Sequence, residues 1–356
     1  MSAPGRKYDL IVYGAYGYTG KLITQVCKDK GLNVLISGRS ESELKRLSES
    51  TGFDFQTVDL SNHKALVELL SQASVVIHSA GPFSITSQPM AAACLEARTH
   101  YLDITGEHEV MSALHQLNSQ AQTAGIMIMP GVGFDVVPTD CMAAHLKARL
   151  PEAENLELAF AMVPTGVSRG TAKTALQSFG KPSFARKDGK LTSDFSQPKT
   201  RLIDFGEKKL NAVCISWGDI FSAWVTTGIP NIEVYMAASP SMVRGIKLAL
   251  LWKFIFNLGI VRKFLSGGIN KRPAGPGDEV LKNGKSLVYG KASSRDGRVV
   301  ESRLVTSNGY RLTADMAVLI AMKVLEGKFK PGFSTPAACF GADLIMELPG
   351  SVRTDI

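Results

Sequence analysis

The chain has 356 residues, 45% of them hydrophobic and 20% charged, with a formal net charge of +8. That composition fits one large globular domain or two smaller ones. Five scattered cysteines without a CxxC pair argue against a disulfide framework, six histidines without ligand spacing argue against a metal centre, and dispersed bases without aromatic strands argue against nucleic acid.

The opening "MSAPGRKYDL" lacks the apolar core of a signal peptide, and the expected location is cytoplasmic. Strands are predicted at Leu10–Tyr13, Asn33–Ser37, Phe53–Asp59 and Ala73–Gly81, with others opening "THYLDITGE" and within "GIMIMPGVG". Helices are predicted at Lys21–Lys30, Glu41–Ser50, His63–Leu70, Ser87–Ala97 and Val110–Ala124. This alternation predicts a doubly wound parallel sheet of Rossmann type over residues 1–150. After Leu150 the pattern shifts to longer strands such as "NLELAFAMV", "NIEVYMA" and "RVVESRLVTS", predicting a second α+β domain on a mainly antiparallel sheet over 151–312. Lys181–Thr200 reads as a loop or strand pair. Helices within 313–356 are expected to return to the first domain.

Val243–Leu265 is rich in Leu, Ile, Phe and Trp, but Lys247 and Lys253 interrupt it. A spanning helix needs a longer uncharged run. A core helix, a lid over an apolar pocket and a peripheral membrane contact with basic flanks compete for it.

The stretch "YGAYGYTGKL" breaks the first strand with three spaced glycines. Gly14 lets the chain turn off the strand, Gly17 leaves room for a pyrophosphate against the backbone, and Gly20 permits close helix packing. The spacing is GxxGxxG, and packing alone is the competing explanation. At the end of the second strand, where an NAD site carries an acid, "ISGRS" offers Arg39. Its guanidinium suits a 2′-phosphate, so the expected cofactor is NADP(H); a solvated arginine in a turn is the alternative. Ser37 and Ser40 can add hydroxyl donors. Asp59 is expected at the adenine amino group. Ser79, Ala80, Gly81 and Pro82 are expected beneath the nicotinamide ribose.

"GAYGYTG", "SGR", "SAGPF", "ACLEARTHYLDITGE" and "PGVGFDVVPTD", in that order, resemble the saccharopine dehydrogenase-like oxidoreductases, including their branch of trans-acting enoyl reductases. The resemblance is dense from Tyr8 to Asp140 and thinner beyond, where "RGTAKT" (Arg169–Thr174) and "PGFSTPAACFGADLIMELP" add to it. It implies NADP(H) held by Gly14, Tyr16, Gly17, Thr19, Gly20, Arg39, Asp59, Ala80 and Gly81. It also implies reduction of an enoyl double bond in an acyl or polyketide substrate, in trans on an acyl carrier protein that the basic surface would suit. The cation cluster that an amino-acid dicarboxylate would need is not recognisable. Trp217, Phe221, Trp224, Trp252, Phe254 and Phe256 suggest a greasy substrate instead. Imine reduction on a small metabolite and a non-catalytic NADPH- or lipid-binding protein are the alternative functions.

Acid–base candidates are Asp103, which with Tyr101 ends the fifth strand, and Asp135, which follows the sixth. Helix capping competes with catalysis for Glu107, Asp135, Thr139 and Asp140.

Overall fold

The computed structural model describes residues 5–164, 168–172, 183–193, 199–251, 268 and 273–356. The chain forms two units, one of residues up to Val137 with Gly309–Leu348, the other of Pro138–Asn308 with Pro349–Ile356.

The first unit alternates β1 (Tyr8–Tyr13), α1 (Tyr18–Asp29), β2 (Val34–Gly38), α2 (Glu41–Thr51), β3 (Asp54–Thr57), α3 (His63–Leu70), β4 (Ala73–His78), α4 (Phe83–Ala97), β5 (His100–Asp103), α5 (His108–His115), α6 (Asn118–Ala124) and β6 (Met127–Met129). A strand at Gly332–Phe333 pairs beside β6 and completes a seven-stranded sheet in the order Gly332–Phe333, β6, β5, β4, β1, β2, β3. Every pairing in it is parallel. Leu10, Ile11 and Val12 of β1 are fully buried, as the central strand of a sheet covered on both faces requires. Strand order reverses between β1 and β4, which opens a crevice at the carboxyl ends of those two strands.

Two expectations change here. The helix expected over Val110–Ala124 is two helices, broken at Gln116–Leu117, where Leu117 N–H turns back to Leu114 O at 3.0 Å. The break frees Asn118, whose Oδ1 accepts the Phe333 N–H at 2.9 Å and so holds the edge strand. Helix α4 begins at Phe83 rather than Ser87, with Pro89 inside it.

The second unit contains α7 (Val137–Arg149, from Pro138 on), β7 (Asn155–Val163), β8 (Ala185–Lys187), β9 (Lys190–Thr192), β10 (Thr200–Asp204), β11 (Lys209–Cys214), α8 (Asp219–Thr227), β12 (Asn231–Ala237), α9 (Pro240–Leu251), β13 (Lys285–Ser293) and β14 (Val299–Ser307). Its sheet runs β10, β11, β12, β7, β13, β14 and a last strand, Val352–Asp355. Pairings are antiparallel except β7 with β12. The sheet curls: Arg201 of β10 reaches Glu157 of β7 at 3.0 Å, and Arg303 Nε of β14 donates to Asp204 O at 3.0 Å. Within Lys181–Thr200 the described residues form the β8–β9 hairpin, turned by Asp188 (φ 49°) and Gly189 (φ 75°), the left-handed pair of a tight hairpin.

The expected division at residue 150 falls instead ahead of α7, because that helix packs on the second sheet. A Cβ on Gly290 of β13 would lie 2.5 Å from Met142 Cγ and 2.7 Å from Leu146 Cδ1. The returning segment also differs from expectation. Gly309–Leu348 joins the first unit, whereas Val352–Asp355 pairs with Ser302–Val305 of β14. Asp355 fixes that last strand through His145 at 2.7 Å, Ser302 Oγ at 2.7 Å and Arg149 at 3.1 Å. Within Val243–Leu265 the described residues end with α9 at Leu251; Trp252, Phe254 and Phe256 lie outside them, as do Lys173 and Thr174 of "RGTAKT".

Gly290→Val is expected to cost about 1–3 kcal/mol by overpacking the α7 contact, although valine favours strands. Urea unfolding monitored by circular dichroism measures it; a stability equal to the parent's would show that α7 yields freely.

Candidate cofactor site

The glycine turn closes on itself. Gly14 has φ +83° and donates its N–H to Ser37 O of β2 at 2.8 Å. A Cβ there would lie 2.8 Å from both N and Cβ of Ala80, so conformation and space each demand glycine. Gly17 is the N-cap of α1 without a side-chain cap, and its N–H returns to Gly14 O at 3.0 Å. A Cβ on Gly17 would meet only Gly14 O, at 3.2 Å, so its outer side has the room that the expected phosphate needs. Lys21 N–H bonds Gly17 O at 2.9 Å and starts the intrahelical ladder, leaving the first turn, with half-buried Thr19, to serve an anion. Gly20 packs against the turn itself, since a Cβ would run into the Gly14 carbonyl oxygen and lie 2.9 Å from Ala15 Cα.

Arg39, directly after β2, is exposed, which leaves its guanidinium accessible as the 2′-phosphate expectation requires. The edge of the Tyr16 ring lies against Gly38, where a Cβ would come 2.6 Å from Tyr16 Cε1. This contact was not anticipated; the glycine immediately before Arg39 was its only trace in the sequence. Asp59 is exposed, and its Oδ1 accepts from the Ser61 hydroxyl at 2.7 Å and the Ser61 N–H at 2.9 Å. Those bonds, with a smaller contribution from Arg39, hold its carboxyl below the usual range. Arg39 and Asp59 follow the neighbouring ends of β2 and β3, where Gly38 pairs with Thr57.

Two expected contacts turn away from it. Ser37 is fully buried and donates its hydroxyl to Gln56 O at 2.7 Å, so it ties β2 to β3 instead of meeting the cofactor. Ser79 donates its hydroxyl to Tyr13 O at 2.9 Å, so it anchors the turn that presents Ala80, Gly81 and Pro82. Ser40 is the N-cap of α2, and its Oγ lies 3.4 Å from Ser42 Oγ.

The acids at the end of β5 and after β6 differ sharply. Asp103 is fully buried, and burial pushes its carboxyl up to about 6. The Tyr101 hydroxyl donates to its Oδ2 at 2.5 Å, and the Thr105 and Gly131 N–H groups donate to its Oδ1 at 2.9 Å each. With that coordination Asp103 stitches the loop after β5 to the loop after β6 and presents no open oxygen face to a substrate, contrary to the catalytic expectation. Asp135 is only partly exposed; burial first, and the Glu107 charge second, push its carboxyl up to about 7. It leans on Gly106, where a Cβ would come 2.8 Å from Asp135 Oδ2.

Capping does not account for Asp135. Helix α7 starts at Val137, whose N–H bonds Gly133 O at 2.9 Å. Thr139 and Asp140 lie inside the helix and bond to α8 instead, Thr139 Oγ1 to Asp219 Oδ1 at 2.7 Å and Thr226 Oγ1 to Asp140 Oδ1 at 2.6 Å. Glu107 does occupy the N-cap position of α5, without a side-chain cap bond. The loop carrying Asp135 is fixed by the helix Gly309–Leu325: Thr313 Oγ1 accepts the Phe134 N–H at 3.0 Å, and a Cβ on Gly133 would lie 2.6 Å from Thr313 Cγ2. Of the aromatics expected around a substrate, Phe221 is buried, Trp217 packs on Phe160 (5.1 Å between centroids), and Trp224 stacks under Arg186 at 4.2 Å.

The parallel sheet, the glycine cradle at its switch point and the arginine after β2 define a dinucleotide-binding domain. Residues 10–129 match the family description "Saccharopine dehydrogenase NADP binding domain", so the chain carries the NADP-binding domain of that family. A saccharopine dehydrogenase-like oxidoreductase of Mus musculus is 26% identical over 212 residues, which are 52% of this chain and 49% of the relative. A trans-acting enoyl reductase of Mycobacterium ulcerans is 30% identical over 167 residues, 45% of this chain and 40% of the relative. The matched region thus spans about half of these relatives or less. Among solved structures, the saccharopine dehydrogenase (L-Glu forming) of Saccharomyces cerevisiae shares the fold, with a TM-score of 0.68 at 12% identity, covering 98% of this chain and all of that one.

Arg39→Ala is expected to weaken NADPH by at least tenfold and NADH by less than threefold, because a charge-assisted pair is worth about 1.5–3 kcal/mol. Isothermal titration with both nucleotides decides it; equal losses would remove Arg39 from the 2′-phosphate.

Asp135 also has a stability signature. Its folded-state pKa, about 7, lies above that of an unfolded aspartate. The folded state therefore binds the extra proton, and stability falls as pH rises from the unfolded value through 7. Asp135→Asn is expected to melt higher than the parent above pH 7 and to lose that advantage near pH 4, as read by thermal scans across pH.

Proposed function

We propose that the protein is an NADPH-dependent oxidoreductase that reduces the carbon–carbon double bond of an enoyl substrate. The observation that carries this reading is the meeting, at one edge of one sheet, of a phosphate cradle (Gly14, Gly17), a 2′-phosphate arginine (Arg39) and a carboxyl that keeps its proton near neutral pH (Asp135). Bound NADPH supplies a hydride. Reduction of a conjugated double bond then needs one proton at the neighbouring carbon, and Asp135 holds such a proton on its carboxyl and regains it from solvent. Asp103, enclosed by Tyr101, Thr105 and Gly131, fixes the loop geometry around that acid. The choice of an enoyl substrate follows the relative named as a trans-acting enoyl reductase.

Delivery by an acyl carrier protein is part of the proposal. The net charge of +8 suits an acidic carrier, and carrier-linked substrates should then outperform the same acyl chain on free pantetheine, with an advantage that fades in salt. The membrane alternative for the segment that α9 enters has its own support in Met242 and Leu248, exposed at 48% and 54%; flotation with anionic liposomes tests it. Imine reduction would use the same acid, with the proton delivered to nitrogen, and remains the second reading because the fold matches a saccharopine dehydrogenase.

NADPH oxidation is to be followed with enoyl thioesters and, separately, with oxo acid and amine pairs. Turnover on enoyl thioesters is expected. Asp135→Asn should lower kcat about 10²–10⁴-fold while the NADPH Kd stays within twofold. Turnover only on the oxo acid and amine pairs would favour imine chemistry, and tight NADPH binding without turnover on any of them would make the protein a nucleotide-binding module.

A further inference from the structure

Strand β4 reads Ala-Ser-Val-Val-Ile-His, and its last residue is out of place. Val75, Val76, Ile77 and His78 are all fully buried. The His78 ring is boxed by aromatics, with centroids 5.7 Å from Tyr13, 5.4 Å from Phe83 and 6.3 Å from Tyr101. Burial depresses its pKa to about 3, so it is neutral under any working condition. Its Nδ1 has no hydrogen-bond partner among the described residues. A leucine or methionine would fill this space without an unmet polar atom, so packing alone gives no reason for an imidazole.

The other ring nitrogen supplies one. His78 Nε2 lies 3.0 Å from Thr86 Oγ1, and Thr86 Oγ1 lies 2.7 Å from Ala80 O and 3.1 Å from Pro82 O. Carbonyl oxygens only accept. The single hydroxyl proton of Thr86 therefore goes to them, and the proton between ring and hydroxyl comes from the ring. This fixes the Nε2–H tautomer and runs a directed chain from imidazole N–H through the Thr86 hydroxyl to the Ala80 carbonyl.

Ala80 is the residue to which the glycine turn must yield, 2.8 Å from where a Gly14 Cβ would sit. The Ser79 N–H and hydroxyl both bond Tyr13 O at 2.9 Å. The turn Ser79–Pro82 is thus held by β1 through Ser79, by the glycine turn through Gly14, and by α4 through Thr86. Only the last clamp is itself aimed by a second side chain.

We infer that His78 and Thr86 form a positioning pair that sets the Ala80–Gly81 backbone against the glycine turn and thereby governs NADP(H) affinity without touching the nucleotide. The inference rests on the nucleotide lying at the strand-order switch between β1 and β4. A threonine bonding back to the carbonyl four residues earlier is common in helices. What distinguishes this one is the donor behind it and the second carbonyl in front of it.

The experiment pairs deletions with conservative replacements. NADPH Kd is measured by nicotinamide fluorescence, and melting temperature without nucleotide by circular dichroism. Thr86→Val and His78→Met are each expected to weaken NADPH about tenfold, and the double variant no more than the weaker single one, since both break one chain. Thr86→Ser and His78→Gln, which keep a hydroxyl and an N–H at the same reach, should stay within threefold of the parent. Nucleotide-free His78→Met should melt at or above the parent temperature, because it removes the unmet Nδ1. Unchanged affinity in Thr86→Val, or losses that add in the double variant, would overturn the inference. If His78→Met fails to fold, the contrast between Thr86→Val and Thr86→Ser decides alone. Failure of the unaltered protein to bind NADPH would instead refute the nucleotide site itself.

Discussion

The structure turns on a contact where no side chain fits. Gly14 and Ala80 bring the ends of β1 and β4 so close that a single methylene on Gly14 would collide with the neighbouring backbone. Parallel strands whose order reverses must diverge beyond their carboxyl ends, and here the divergence begins from near backbone contact. The phosphate cradle, the direction of α1 and the presentation of Ala80 and Gly81 all follow from it. Gly20 repeats the constraint one turn later against the Gly14 carbonyl, so packing within the protein demands two of the three glycines and leaves Gly17 comparatively open.

That division explains what could be read directly from the sequence. Glycine spacing and the run of apolar strands are local signals, and the turn, helix and parallel sheet they imply are the ones that form. Side-chain direction is not local. Ser37 and Ser79 stand in the expected places, yet their hydroxyls bond backbone carbonyls of Gln56 and Tyr13. Satisfying those carbonyls outweighed reaching into the crevice. The Tyr16–Gly38 contact joins the glycine turn to the end of β2 and is legible only once both are folded. The same limit applies at the boundaries: nothing within Val137–Arg149 announced that its partner would be Gly290, more than a hundred residues on.

The two acids illustrate how one environment yields two kinds of group. Asp103 ends β5 and Asp135 follows β6 of the same sheet, and burial raises both. Asp103 receives an O–H and two N–H donors, which favour its charged form and restrain the shift. Glu107 bears on both, but on Asp135 it is the main influence besides burial, and both act towards the protonated form. A carboxyl hemmed in this way behaves as a weak acid with its proton in place, whereas its neighbour behaves as a structural acceptor. Sequence offered no means of ranking them, because the donors come from Tyr101, Thr105 and Gly131, which converge only after the loops close.

The first unit is assembled from separated pieces of chain, and this bears on how it comes into being. A ribosome delivers β1 to β6 long before Gly309–Leu348. Until then β6 is an open edge strand with the apolar sequence Met-Ile-Met, Asn118 has no Phe333 amide to hold, and the loop at Phe134 lacks its Thr313 anchor. The nascent nucleotide-binding unit therefore carries an adhesive border until Gly309–Leu348 has emerged to seal it.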